Sequence, residues 1–319
     1  MCLLLSIEIK ETDYENYGKC VQISNGIIDV VVTIDFGPRI VRFGFIGDAN
    51  ILYNDLERKY VTRNPSMVER YGKDAAFYRY GGHRVWLSPE RMPETYYPDN
   101  EPVIYGILPE GVSFTPVRQK RNEMQLSFEV IMGEDATDIM VVHSAKNCSK
   151  EKQNYALWSI TMVNSGGVEI IPQNQDNSNA LLPNRTISIW PYTDINDKRI
   201  FLGNKYLTVQ HDDSIEKALK IGVNNVLGWA SYTNGDYTLV KRYIHSPQAI
   251  YPDFGCSYET SVSNDYVEMD SLSPLYGIEP GAGIRHVENL SLFKAPASPV
   301  IPTDEISIQK FIDELGSIR

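Results

Sequence analysis

Apolar residues in this chain cluster in short runs, many alternating with polar ones, and Gly, Pro, Asn and Asp separate the runs. Residues 26–36 read GIIDVVVTIDF and stop at Gly37-Pro38; 39–45 resume the alternation through Ile40, Phe43 and Phe45. Further runs at 124–132, 138–143, 155–163, 168–172, 186–190, 206–210, 226–232, 237–243, 266–269 and 286–293 predict strands. Helical spacing is convincing at one place: Ile308, Phe311, Ile312 and Leu315 fall at i, i+3, i+4 and i+7, with Thr303 or Asp304 as a cap. That predicts a short helix over about 304–316. Residues 214–220 are compatible with one helical turn. The stretches 57–103 and 173–184 read as long loops, and loops of such length tend to be functional or to cover something. The expectation is an all-β chain of large antiparallel sheets, one domain over 1–319, with the C-terminal helix packed outside.

Composition narrows the function classes. Hydrophobic residues make up 42% of 319 and charged residues 22%, enough for a large core. A formal net charge of -11 without a basic run disfavours nucleic acid and anionic membrane surfaces. The start, MCLLLSIEIK, lacks a basic region, a long apolar core and a cleavage site, so no secretory signal is expected. No stretch has the length of a membrane span. Cys2, Cys20, Cys148 and Cys256 are scattered, with neither disulfide nor zinc spacing, which suits a cytoplasmic protein. The sequons at Asn147, Asn184 and Asn289 are read as chance matches.

The common catalytic signatures are missing: there is no dinucleotide fingerprint, phosphate-binding loop, nucleophile elbow, H-E-x-x-H or C-x-x-C. His83, His143, His211, His245 and His286 lie in separate segments, so neither a metal nor a cofactor is predicted.

The densest cluster is YGGHRVWLSPE at 80–90. Gly81 and Gly82 permit a tight turn or close ligand approach. His83, Arg84 and Glu90 bring hydrogen-bonding heads, and Trp86 brings a flat ring. Sugars call for this mixture, because their C–H faces stack on aromatics and their paired hydroxyls meet planar charged groups. The segment reads equally well as a structural turn with Arg84 bonded to Glu90. Trp158 and Trp190 are further platforms, although a strand Trp is more often core; Trp190 lies at a strand end, where clefts open. Glu268 and Asp270 share one face of a strand, as do His286 and Glu288. Such carboxylates can act as bases, or simply face solvent on an edge strand. Asp253 and Glu259 flank Gly255, and Cys256 is read as a packed thiol. Of Lys241 and Arg242, alternation sends only one into any cleft.

These segments, together with YALWSITMVNSGG (155–167), LLPNRTISIWPYTDINDKRIFLG (181–203), YPDFGCSYE (251–259) and YVEMDSLSPLYGIEPGAGIRHVENLSLF (266–293), resemble an uncharacterised family of the galactose-mutarotase-like superfamily. The likeness runs through almost all of the chain, and GPRI at 37–40 fits the family's first hairpin. It implies a two-sheet antiparallel β-supersandwich with a concave, sugar-binding face. In established mutarotases a late Glu removes the anomeric hydroxyl proton and a His on a middle strand protonates the ring oxygen. The resemblance puts Glu268, or in competition Asp270, in the first role, and matches His83 and Arg84 to the early sugar-binding pair. The middle strand here carries Trp158 where the family has its acid His, so His83 becomes the expected acid. Expected substrate contacts are Arg84, Trp86, Glu90, Trp158, Trp190, Lys241, Asp253, Glu259, His286 and Glu288. The expected partner is a small-molecule carbohydrate. Open are an aldose 1-epimerase-like isomerase, a sugar-binding or regulatory protein without turnover, and a lyase or glycoside hydrolase relative.

Overall fold

The computed structural model describes residues 7–178, 181–296 and 298–316. The apolar N-terminal start with Cys2 and part of the 173–184 connection lie outside the described residues. Nearly every regular element is a strand, and all registered strand pairs are antiparallel. Two large sheets face each other. The first runs, edge to edge, through Glu8–Asp13, Lys19–Ser24, Ile28–Thr33, Ile40–Phe45, His83–Ser88, Gln153–Asn164, Tyr266–Leu272, Tyr258–Val262, Leu219–Val223 and Ile187–Ile189. The second runs through Ile200–Leu202, Tyr206–Gln210, Val168–Pro172, Trp229–Asn234, Tyr237–Tyr243, Gly283–Lys294, Asp138–Asn147, Met124–Met132, Gly111–Pro116 and Val103–Leu108.

Alternation sets what lies between the sheets. Val30, Val32, Phe43, Val163, Val267 and Met269 of the first sheet meet Val130, Val141, Leu239, Leu290 and Leu292 of the second in one continuous core. The C-terminal helix, Glu305–Leu315, lies where its spacing predicts. Asp304 caps it by accepting from the amides of Ile306 and Ser307, and Gly316 ends it in the left-handed region. Its Ile308, Phe311 and Leu315 cover Ile170, Tyr206 and Val240 on the outer side of the second sheet.

Two expectations are corrected. Residues 214–220 do not form a helical turn; Leu219 and Lys220 belong to a strand, because Leu219–Val223 pairs with Tyr258–Val262. The 57–103 stretch is not all loop. It holds the short helix Pro65–Tyr71, capped by Asn64, and the central strand His83–Ser88. That strand is buried on both faces and carries polar groups on each, so it gives no apolar–polar alternation.

Gly81 and Gly82 launch this strand from positive φ, +89° and +72°. A Cβ on Gly82 would sit 2.1 Å from the Ile40 carbonyl oxygen. Gly82→Ala therefore combines left-handed strain with a backbone clash and is expected to cost at least about 3 kcal/mol. Urea unfolding measures it, and a loss within about 0.5 kcal/mol would contradict the close packing.

Candidate active site

Three neighbouring strands of the first sheet carry the chemistry, and their two-residue period divides it between opposite faces. Register places Trp158 beside Trp86 and Leu272, Ile160 beside Arg84 and Asp270, and Met162 beside Glu268. These side chains share the outer face. Thr161 lies beside His83, and Ser159 beside Ser271. These share the face turned toward the second sheet.

The inner group forms a closed polar network with His143, Lys241, His286 and Glu288 of the second sheet, in which Lys241 and Glu288 have no exposed side-chain surface. The tautomers follow from the partners. His143 Nδ1 donates to the His286 carbonyl at 3.1 Å, which leaves Nε2 as acceptor. His83 Nε2 then donates to it at 2.8 Å, and His83 Nδ1 accepts from the Thr161 hydroxyl at 2.8 Å. Ser271 donates to Glu288 and accepts from His286 Nε2. Ser159 donates to the second Glu288 oxygen. The Lys241 ammonium spends its donors on the carbonyls of Ser159 (2.9 Å) and Met269 (2.7 Å) and on Glu288 (3.1 Å). Burial pulls His143 down to about 4 and His286 down to about 3, and pushes His83 well below the usual range, so all three imidazoles are neutral. Burial acts against the Glu288 charge, but Lys241 beside it holds the carboxylate well below its ordinary range.

His83, His143 and Glu288 also bring three metal-type donor atoms within 4.8 Å of one another. The fit to an ion is poor. The nitrogens already bond each other in the tautomer chain above, Glu288 Oε2 beside them accepts from Ser159, and the Lys241 ammonium at Oε1 already balances the carboxylate's charge.

On the outer face, rings and cations form a ladder. Phe77 stacks on Trp86 at 5.0 Å, and Trp86 on Trp158 at 5.3 Å. The Lys220 ammonium sits between Trp158 and Trp190, 4.1 and 4.4 Å from their ring centres. Arg84 lies over Phe77 and Trp86. Lys220 pairs with Glu259 at 2.7 Å, and Arg79 with Glu268 at 3.7 Å while donating to the Tyr266 hydroxyl. Trp158 Nε1 donates to Asp270 Oδ2 at 3.0 Å. Asp270 Oδ1 and Arg84 Nε are buried without a protein partner. Burial, reinforced by the Glu268 charge, raises Asp270 well above its ordinary value, so this carboxyl holds its proton more tightly than a free one. Burial also pushes Glu259 up to about 7, with Lys220 pulling the other way. Tyr192, whose hydroxyl feels the charges of Lys220, Glu268, Glu90 and Arg79, lies at the rim. There Tyr96 donates to Glu90.

No protein-family model and no curated protein matches the chain. Solved structures do. Over 90% of its length the chain is similar to a TPR-domain containing protein from Parabacteroides distasonis, at 15% identity and a TM-score of 0.58, and it spans 51% of that protein. It is similar over 86% of its length to a galactose mutarotase-like protein from Lactobacillus casei, covering all of that chain at 9% identity and a TM-score of 0.53. A galactose mutarotase-like protein from Clostridium acetobutylicum matches over 90% of this chain and 99% of its own, at 11% identity and a TM-score of 0.52. The fold is the galactose mutarotase-like β-supersandwich.

Within this supersandwich the expected site residues separate. Arg84, Trp86, Trp158, Trp190, Glu259, Glu268 and Asp270 gather on the outer face, while Glu90 at the rim and Asp253 next to Glu259 flank it. His83, Lys241, His286 and Glu288 gather between the sheets. His83 and Arg84 are consecutive on a strand and so point to opposite sides, which takes His83 out of reach of a ligand bound beside Glu268. Trp86 is sandwiched between two rings of its own chain and offers no free face. Lys220 and Arg79 escaped the sequence reading. A lysine in the apolar run Leu219–Val223 was the available signal for the first; nothing local marked the second.

The inner network makes its own prediction. Lys241→Met leaves Glu288 charged and unpaired, at an expected cost of about 3–5 kcal/mol in chemical denaturation. Adding Glu288→Leu should return part of that loss, a positive coupling of at least about 1 kcal/mol. Simple additivity of the two would refute the pairing.

Proposed function

We propose that the chain binds a carbohydrate on the outer face of its first sheet and interconverts the anomers of an aldose there. The observation that carries this reading is the unequal carboxyl pair on one strand. Glu268 is paired with Arg79, whereas Asp270, with Oδ1 unpartnered, is pushed by burial to hold its proton more tightly. Neighbouring carboxyls in unequal surroundings are how a protein obtains a base and an acid side by side. Their places on the strand, two residues apart, separate them by roughly 7 Å along the backbone, a span that the anomeric hydroxyl and ring oxygen of one sugar can bridge.

In this reading Glu268 takes the proton of the anomeric hydroxyl, while Asp270 gives its proton to the ring oxygen. The bond between the anomeric carbon and the ring oxygen breaks, leaving an open-chain aldehyde. Rotation about the adjacent carbon–carbon bond presents the other carbonyl face. Closure runs the transfers backwards: Asp270 takes its proton back from the hydroxyl that becomes the ring oxygen, and Glu268 gives its proton to the aldehyde oxygen, so no proton is gained or lost overall. Arg84 and Lys220 offer donors to the hydroxyls. Asp270, which the sequence offered as a competing base, takes the acid role expected of His83. The fold shared with galactose mutarotase-like proteins supports a carbohydrate ligand, but a fold alone carries no activity.

Exchange NMR on a panel of aldoses reports anomer exchange and binding together. Glu268→Gln should lower the exchange rate by at least about 100-fold while leaving binding within a few-fold. Asp270→Asn should lose exchange at every pH. Wild-type exchange should fall on the alkaline side, as Asp270 ionises through its raised pKa and no longer has a proton to give. Binding without accelerated exchange in the wild type would reduce the assignment to recognition alone.

A further inference from the structure

Beside the carboxyl pair, on the Trp190 side, the wall opens into a cavity of about 490 Å³ whose lining includes Ile187, Ile189, Trp190, Pro191, Asp253 and Phe254. Two links join it to the polar cluster. Trp190 stacks one face on Lys220, and Asp253 puts its charge beside Glu259.

The Phe254 side of this cavity is built at a cost. Asp253 and Phe254 are consecutive non-glycine residues in the left-handed region, with φ of 51° and 65°. Each such residue is worth about 1–2 kcal/mol of strain. The strain is held in place by the Asp253 carbonyl, which accepts from Ser188 Oγ at 2.8 Å and Cys256 Sγ at 3.0 Å. The outcome is a phenyl ring 93% exposed to water. Glycine or asparagine would make the same turn with less strain, and neither would leave an aromatic ring in solvent. A strained turn that presents an unburied flat ring at the edge of a cavity is a platform without its occupant. The opposing features fit a sugar ring: apolar side chains and an indole edge for its C–H face, and the Asp253 carboxylate for its hydroxyls.

We infer that this cavity is a second sugar subsite, so that the ligand is a carbohydrate of at least two linked rings, the first on the Glu268–Asp270 face and the second against Phe254. This rests on the carbohydrate reading above and adds the length of the ligand to it. An isolated monosaccharide would leave the Phe254 platform empty.

The test compares glucose and galactose with maltose, cellobiose and lactose by titration calorimetry on wild type, Phe254→Ala and Phe254→Trp. At least one disaccharide should bind about tenfold more tightly than its monosaccharide. Phe254→Ala should remove that gain while leaving monosaccharide affinity within about twofold, and Phe254→Trp should restore it. Because the side chain is solvent-exposed, the alanine variant should fold normally. Equal affinity for one and two rings, unchanged by Phe254→Ala, would overturn the second subsite and leave the first intact. No binding of any of these sugars would remove both. Sedimentation supplies the remaining outcome. A wild-type dimer that Phe254→Ala converts to monomer, with sugar affinities unchanged, would assign the ring to a second copy of the chain and overturn the proposal.

Discussion

The organisation of this molecule depends on the two-residue period of three adjacent strands, His83–Ser88, Gln153–Asn164 and Tyr266–Leu272. Each carries polar side chains at successive positions, and each sends them alternately to the inside and the outside of one sheet. A single strand thereby serves two environments. His83, Ser159, Thr161 and Ser271 knit the sheets together, while Arg84, Trp158, Glu268 and Asp270 face the other way. A one-residue slip in any of these strands would exchange the two sets and ruin both.

The two polar groups differ in how fully they are satisfied, and that difference separates structure from chemistry. Between the sheets the described donors and acceptors of the Lys241–Glu288 network close on one another, with neutral imidazoles and a paired charge. Such a network fixes the alignment of the sheets and has no capacity left for a ligand. Outside, Asp270 Oδ1 and Arg84 Nε lack protein partners, and the carboxyls of Asp270 and Glu259 are pushed up by burial. Unmet hydrogen-bonding capacity and displaced proton affinity occur together there, as they do where a ligand is expected. The aromatic ladder from Phe77 to Trp190 lines this face, and burial together with the Glu268 charge raises Asp270.

Some of this was legible from the residues alone. Alternation and turn residues identified an all-β sandwich, the i, i+3, i+4, i+7 spacing located the C-terminal helix, and the late strand with Glu268 and Asp270 stood out by its period. The strand His83–Ser88 was not legible as a strand. Burial on both faces removes the contrast on which periodicity relies, so the segment looked like a turn rich in functional groups. Lys220 was only faintly marked: a lysine in an apolar run signals that its head must find partners, but not the rings that enclose it.

What the sequence by itself determined is local: which segments extend, where the chain turns, and which neighbours on a strand must point the same way. Only the tertiary structure decided that His83 and Arg84 serve different faces, that His143 and His286 meet across a strand pair, and that Lys220 inserts between Trp158 and Trp190. Those outcomes depend on which strands become neighbours and on which face of the sheet is covered. Both are set by the burial of the whole core, in which residues distant along the chain take part together.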